Sequence, residues 1–289
     1  MKLTPTLALA LFASTASVLL ADNEVKPIRV LLVAGGCCHD YASQKDILKK
    51  GIESRLNATV EVAYDATKST KPLFEIYNKP DWYKQFDVVV HDECAADITD
   101  AAYLENILKA HREGVPAVNL HCAMHCYRWG KFQQPVKVGD DNSHWYEMLG
   151  LQSTGHGAQL PIAIKFTDHD SPITKGLQDW TTVNEELYNN IQVLTGKALA
   201  NGTQVQKTAE KKDKDGKVTP AKETTTEKIV AWTNEYGPKK TRIFSTTIGH
   251  NNATVQDERY LQLVTRGLLW AVDKIDANGN PAPGYGAKK

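Results

Sequence analysis

The chain reads as an α/β protein, a mostly parallel sheet with helices on both faces, and three observations lead there. Short runs of apolar and β-branched residues recur as IRVLLVAGG, FDVVV, VPAVNL and TRIFSTTIG, the pattern of strands buried on both faces. Segments with helical spacing stand between several of them. Gly and Pro mark the junctions, so strand and helix alternate as in βα units with right-handed crossovers.

Taken in order, PIRVLLVAGG enters a Gly-rich turn, and SQKDILKKGIESRL follows with Ile47, Leu48, Ile52 and Leu56 at helical spacing. ATVEVAYD is a second strand, with Val60 and Val62 on one face. A polar stretch through Trp82 leads to a third, FDVVVHDE. From Ile98 to His111, Asp/Thr capping signals and the apolar Tyr103, Ile107 and Leu108 define a helix that Gly114 and Pro116 end. PAVNL is the fourth strand. In the second half LPIAIKF and KIVAWTNEY alternate as antiparallel or edge strands do, and GPKK turns the latter back into TRIFSTTIG as a hairpin. The stretch from Gln204 to Lys228 lacks large apolar residues and reads as a solvated hairpin or loop. DERYLQLVTRGLLWAVDKI is a helix whose stripe of Leu261, Val264, Leu268, Leu269 and Val272 faces the sheet, with Trp270 in the core. The Gly- and Pro-rich residues 276–289 are expected to form a flexible tail.

A chain of 289 residues buries an adequate core without metal or disulfide support. Lys plus Arg (34) balance Asp plus Glu (34), so no net field recruits nucleic acid or an anionic membrane surface. The expected partner is a small, mostly neutral molecule, with no nucleotide cofactor. Residues 1–21, with one Lys, an Ala/Leu-rich run and small residues near Ala16 and Ala21, have the pattern of a secretory signal. Export to the periplasm or the medium is expected, with no stable membrane association once the signal is removed. Five cysteines, 37, 38, 94, 122 and 126, leave at least one thiol unpaired in an oxidising compartment. A bridge from Cys37 or Cys38 to Cys94, Cys122 or Cys126 is compatible with the sequence, as is burial of most of them as small apolar residues; connectivity stays open.

The histidines carry the functional signal. His39, His91, His121 and His250 each stand at or just past the end of an apolar run, and in a parallel sheet such ends line one crevice. GGCCHD sets His39 and Asp40 in a loop whose glycines let backbone approach a ligand. It is no phosphate loop, because GxxxxGK[ST] and GxGxxG are absent. HCAMHC offers His121 and His125 at i and i+4, a metal-gripping pair if the segment is helical, although a turn out of the strand would break that spacing. GHGAQ puts His156 between two glycines, and NEELY supplies Glu185, Glu186 and Tyr188. A carboxylate there suits metal binding, imidazole orientation or base chemistry. In IGHNNAT, Asn251 and Asn252 follow His250 with amides suited to sugar hydroxyls. His144 and His169 have weaker claims, and His111 reads as the end of a surface helix. Imidazoles with carboxylate suit a divalent transition metal, zinc first; without metal, they suit acid–base chemistry near neutral pH.

The ordered motifs GGCCHD, HCAMHC, WYEMLG, GHGAQ, DHDSPITKGLQDW, NEELY and IGHNNAT, from Arg29 to Asp273, resemble the ThuA-like family, named for trehalose utilisation. That resemblance implies a flavodoxin-like fold of the class I glutamine amidotransferase kind, a ThuA-like domain over 27–275, and a link to carbohydrate metabolism. It places the polar rim on His39, His121, His156, Glu186 and His250; Glu185 stands where relatives often have Asp. It also suggests a rival mechanism, with Cys122 just past a strand as nucleophile and His250 as its partner, although LHCAM lacks the GxCxG elbow.

The leading expectation is thus a hydrolase, isomerase or lyase acting on a sugar or keto-sugar derived from a disaccharide. His121, His250 and Glu186 would be catalytic, with His39, His121, His156, Glu186 and His250 around the metal. His39, Asp40, Trp145, Tyr188 and Asn251 would contact substrate. The alternatives are a non-catalytic carbohydrate-binding or sensing protein and the Cys122/His250 thiol hydrolase; a homo-oligomer is compatible with any of the three.

Overall fold

In the computed structural model, residues 25–288 are described apart from Asp213 and Gly216, so the expected signal segment lies outside the described residues. The first half builds β1 (Ile28–Gly36), α1 (Tyr41–Glu53), β2 (Ala58–Asp65), β3 (Val88–Cys94), α2 (Ala101–Arg112) and β4 (Ala117–Leu120). Then come α3 (His144–Leu149) and four antiparallel strands with a small hairpin among them: β5 (Leu151–Phe166), β6 (Trp180–Val193), β7 (Lys197–Thr208), β8 (Lys211–Lys212), β9 (Val218–Thr219) and β10 (Lys222–Tyr236). The chain closes with β11 (Thr241–Thr246), α4 (Asn252–Val255) and α5 (Glu258–Ala271).

One nine-stranded sheet runs in the order β2-β1-β3-β4-β11-β10-β7-β5-β6. Its first five strands are parallel, and their order, counted along the chain, is the 2-1-3-4-5 of flavodoxin-like folds. The remaining four are antiparallel. Both faces are covered, and the pleat shows it directly: Val30 and Leu32 join a cluster with Leu48, Ile52, Val264 and Leu268 of α1 and α5. Leu31 and Val33 join another with Ile107, Leu108 and Met148 of α2 and α3. Each such aliphatic side chain contributes roughly 1.5–3 kcal/mol on leaving water.

The long helices start where the sequence supplies an acceptor for free amides. Asp40 accepts from the Ser43 N–H, Asp100 from those of Ala102 and Tyr103, and Asp257 from that of Arg259.

Strands β6 and β7 are not evident in the sequence, because Asn, Thr and Glu hide their alternation. Within the Gln204–Lys228 stretch the ends of β7 and β10 pair as an antiparallel ribbon, exposed beyond the buried Gln204, with Lys207 opposite Glu223. The carboxy-terminal residues, expected to be flexible, are tied to the body: Asn57 N–H donates to Tyr285 O, and Asn57 Nδ2 to Gly284 O and Val25 O. No described helix is long and apolar enough to cross a membrane.

Two histidines leave the positions assigned to them. His91 does not end β3 but lies within it, and it is fully buried with Glu93 and His111. His111, expected on a surface helix, donates from Nδ1 to Val115 O at 2.7 Å. Its Nε2 therefore accepts from His91 Nε2 at 3.1 Å, which leaves one proton to bridge His91 Nδ1 and Glu93 Oε1 at 2.9 Å. Burial, then the neighbouring His91, pushes the His111 imidazole down to about 3. This buried chain is a core linkage without a hydrogen bond to the histidines of the rim.

Helix α5 crosses the sheet through Gly267, where a Cβ would meet Phe244 Cδ1 at 2.4 Å. Gly267→Ala should cost about 1–3 kcal/mol by overpacking, read as a lower midpoint in urea unfolding with an unchanged slope.

Candidate functional site

The parallel strands deliver three imidazoles to one place. Strand β1 ends in Gly35 and Gly36, both with positive φ, and a Cβ on Gly36 would lie 2.4 Å from Cys94 O. Only glycine lets the loop settle against β3 there. That loop presents His39, whose Nδ1 pairs with Tyr41 OH at 3.0 Å. After β4 the chain turns sharply at His121, a non-glycine residue at φ 40°, into a 3-10 turn over His121–His125. His121 Nδ1–H donates to Thr247 O at 2.6 Å, which fixes the tautomer and turns Nε2 inward. Beyond β11 comes His250. The ring centroids of His121 and His250 each lie 4.7 Å from that of His39.

The antiparallel half supplies the counter-charge. Glu186 Oε2 lies 3.5 Å from His121 Nε2, 3.5 Å from His156 Nε2 and 3.2 Å from His250 Nδ1. Burial alone would raise this carboxyl, but its contacts with His121 and His250 outweigh that and hold it well below the usual carboxylate range. It is ionised at neutral pH. The same contact raises the basicity of His250 against the effect of burial. His39 feels the opposite balance: burial first, then His121 and His250, push it down to about 2, so it is a neutral imidazole.

Glu185, next to it, holds backbone instead. Fully buried, it accepts from the N–H groups of Gly249, His250 and Asn251 at 3.4, 2.9 and 3.0 Å. It thereby fixes the loop that carries His250.

His39, His121, Glu186 and His250 each offer one ligand atom, all within 4.8 Å of one another. His39 Nε2, His121 Nε2 and His250 Nδ1 are buried yet lack a hydrogen-bond partner. Buried nitrogens without a hydrogen bond are costly, and these three, clustered with the Glu186 carboxylate, form the donor set of a divalent transition metal, zinc among them. The residues present fit such a cation. His39 and His250 also line a cavity of about 830 Å³ with Asp40, Tyr64, Lys68, Asn184 and Asn251.

Other expected site residues fall elsewhere. His156 contacts Glu186 but stands outside the quartet, 42% exposed. His125 cannot pair with His121 on one face, since a 3-10 turn has three residues per turn; it meets Ser153 Oγ at 2.9 Å and stacks on Tyr188 at 4.1 Å. Tyr188 is buried beneath the histidines rather than exposed to substrate. Trp145 is likewise core, its Nε1–H donating to Ala123 O at 2.8 Å. Asp40 caps α1, accepts from Asn252 Nδ2 at 2.7 Å and lines the cavity.

Cys122 is buried; its hydrogen bond with Cys94, then burial, raise its thiol well above the usual range. No hydrogen bond or ion pair among the described residues joins it to His250, and the strained backbone after β4 belongs to His121. A thiolate nucleophile is therefore disfavoured at Cys122. Cys37 and Cys38 are bonded to each other, and Cys94, Cys122 and Cys126 are free. Gln159 escaped notice in the sequence: its Nε2 donates to Glu186 Oε1 at 3.2 Å and lies 2.9 Å from His250 Nε2. GHGAQ marked the segment, but only the pairing of Gln159 with Glu186 across β5 and β6 gives that residue a role.

The ThuA family, described as trehalose utilisation, matches residues 29–271. No curated protein sequence gives a significant match. Among solved structures, a protein from Bacteroides uniformis described as ThuA-like is similar over 94% of this chain and 99% of its own, with 14% identity and a TM-score of 0.57. Gan42B, a GH42 β-galactosidase from G. stearothermophilus, is similar over 86% of this chain and 30% of its own, at 9% identity and TM-score 0.49. A glutamine amidotransferase from Thermotoga maritima is similar over 86% of each chain, at 10% and 0.40.

Glu185→Gln replaces one acceptor with a donor that faces backbone N–H groups. It should destabilise the fold by about 1–3 kcal/mol and speed amide hydrogen exchange at residues 249–251. Unchanged exchange there would remove Glu185 from its positioning role.

Proposed function

We propose, from the premise that this chain belongs to the ThuA family of trehalose utilisation and so has a carbohydrate-related role, that it is an enzyme acting on a sugar or keto-sugar, with a divalent metal at His39, His121, Glu186 and His250. The observation that carries this reading is the set of three unpartnered buried imidazole nitrogens around Glu186. Two of those histidines open onto the cavity.

A cation held there supplies Lewis acidity toward a carbonyl or hydroxyl oxygen of the sugar. The rest falls to side chains. Glu186, kept ionised, offsets the positive charge of the site and fixes the orientation of His121 and His250. His156, half-exposed beside Glu186, is placed to pass a proton between that carboxylate and solvent. Asp40, Asn184, Asn251 and Lys68 offer hydroxyl partners on the cavity wall, and Tyr64 and Val183, both exposed, offer apolar surface to a pyranose face. The reaction class is hydrolysis, isomerisation or elimination. The signal read in residues 1–21 would place the activity outside the cytoplasm.

The test is elemental analysis of the purified protein, then incubation with trehalose, other disaccharides and their oxidised forms. About one equivalent of divalent metal and product formation are expected. His121→Ala and Glu186→Gln should each lower metal content at least about tenfold while the far-ultraviolet circular dichroism stays native. Metal-free protein with full turnover would defeat the metal assignment; stabilisation by a sugar without product would identify a binding protein instead.

Removing the metal with a chelator should lower Tm. The lost linkage is worth about 4 kcal/mol when free metal stands near a thousand times its Kd. An identical melt with and without chelator would count against the site.

A further inference from the structure

We infer that Tyr41 is a positioning residue for the candidate metal centre: its hydroxyl accepts from His39 Nδ1–H and so sets His39 in the tautomer that keeps a free lone pair on Nε2.

The first turn of α1 puts the hydroxyl there. Asp40 caps the helix and Tyr41 is its first residue. Gln44, buried in the same turn, donates from Nε2 to His250 O at 2.9 Å, which holds that turn against the loop after β11. Tyr41 is 3% exposed and packs with Ala34, Cys94 and Cys122. Its oxygen lies 3.0 Å from His39 Nδ1, and its ring meets the imidazole edge-on, with centroids 5.4 Å apart. His39 Nε2, by contrast, is buried without a hydrogen-bond partner.

A hydroxyl can donate or accept, and counting partners decides which it does here. A neutral imidazole carries one proton. With that proton on Nδ1, the ring donates to Tyr41, and the Tyr41 hydroxyl donates onward to Cys122, with which it shares a hydrogen bond. With the proton on Nε2, a buried N–H has no acceptor, and the Tyr41 hydroxyl must turn to His39 and away from Cys122. The first arrangement makes two hydrogen bonds and the second makes one. It also leaves on Nε2 the lone pair that a cation takes up. His121 reaches the same tautomer through Thr247 O. Cys122, which the family resemblance offers as a nucleophile, thereby acts as a neutral acceptor behind His39.

The consequence for metal binding rests on the reading proposed above, whereas the tautomer is measurable in metal-free protein. The experiment records long-range proton–nitrogen correlation spectra of the isotopically labelled, metal-free chain, with His39 assigned by the loss of its signals in His39→Ala. Zinc affinity is measured alongside by competition with a chromogenic chelator. A proton on His39 Nδ1 is expected in the wild type, with a shift toward Nε2 in Tyr41→Phe, a change that keeps the buried ring. Tyr41→Phe should bind zinc about 10–100-fold more weakly. A wild-type His39 protonated on Nε2 overturns the inference; so does an unchanged tautomer, or an equal zinc affinity, in folded Tyr41→Phe. The expected tautomers without any zinc binding refute the metal reading and leave the role of Tyr41 toward His39 in place. If Tyr41→Phe does not fold, Cys122→Ser should keep the wild-type tautomer and Cys122→Ala should move the proton toward Nε2. An unmoved proton in Cys122→Ala then overturns the inference.

Discussion

Two adjacent carboxylates on β6 are what the rim depends on. A buried negative charge must be compensated where it stands, and Glu185 and Glu186 recruit different compensation. Glu185 draws in three backbone amides of the loop after β11; Glu186 draws in imidazoles from the loops after β4 and β11. Strand β6 is the far edge of the sheet from β2, yet these contacts tie it to the centre of the parallel half. Truncating Glu185 would leave three backbone donors without their acceptor, and truncating Glu186 would remove the carboxylate that faces the imidazoles, so the pair links fold and site.

The sheet divides its labour accordingly. Its parallel half supplies His39, His121 and His250 from three separate loops, all at the carboxyl ends of strands, where ligands of open α/β sheets bind. The flavodoxin-like order places its switch point between β1 and β3, and there the His39 loop lies against Cys94. The antiparallel half contributes Glu186, His156 and Gln159 through strands whose pairing is interrupted by register shifts. Irregular pairing of this kind re-aims side chains, and here it accompanies the approach of edge-strand residues to the centre of the molecule.

What the sequence made legible follows from this division. Continuous apolar runs ending in glycine or histidine announce parallel strands and their rim, so β1, β3, β4 and β11 and the convergence of His39, His121 and His250 could be read directly. His91 could not be distinguished from them, because nothing local says that β3 continues three residues past it to Cys94. His111 and Trp145 looked accessible for a similar reason: their burial comes from partners distant in sequence. Strands β6 and β7 were hidden by polar residues, and with them the part played by Gln159. The bond between Cys37 and Cys38 joins neighbours in the chain, whereas the sequence suggests long-range bridges to Cys94, Cys122 or Cys126. The family resemblance points to rim residues of which the fold brings His39, His121, Glu186 and His250 together, but it offers Cys122 as well, and burial beside Cys94 argues against that residue.

Gln159 also bears on the protonation of its neighbour. An amide nitrogen can only donate, so with Gln159 Nε2 facing the ring His250 Nε2 must accept, and a neutral ring in that arrangement carries its proton on Nδ1, the atom that a bound metal would need free. Were the carboxamide to rotate by half a turn, its oxygen would face Nε2 and favour either an imidazolium or a ring with a free lone pair on Nδ1. The rotamer of one uncharged side chain thus discriminates between the neutral tautomers, and a cation held by Nδ1 requires the carboxamide oxygen to face Nε2.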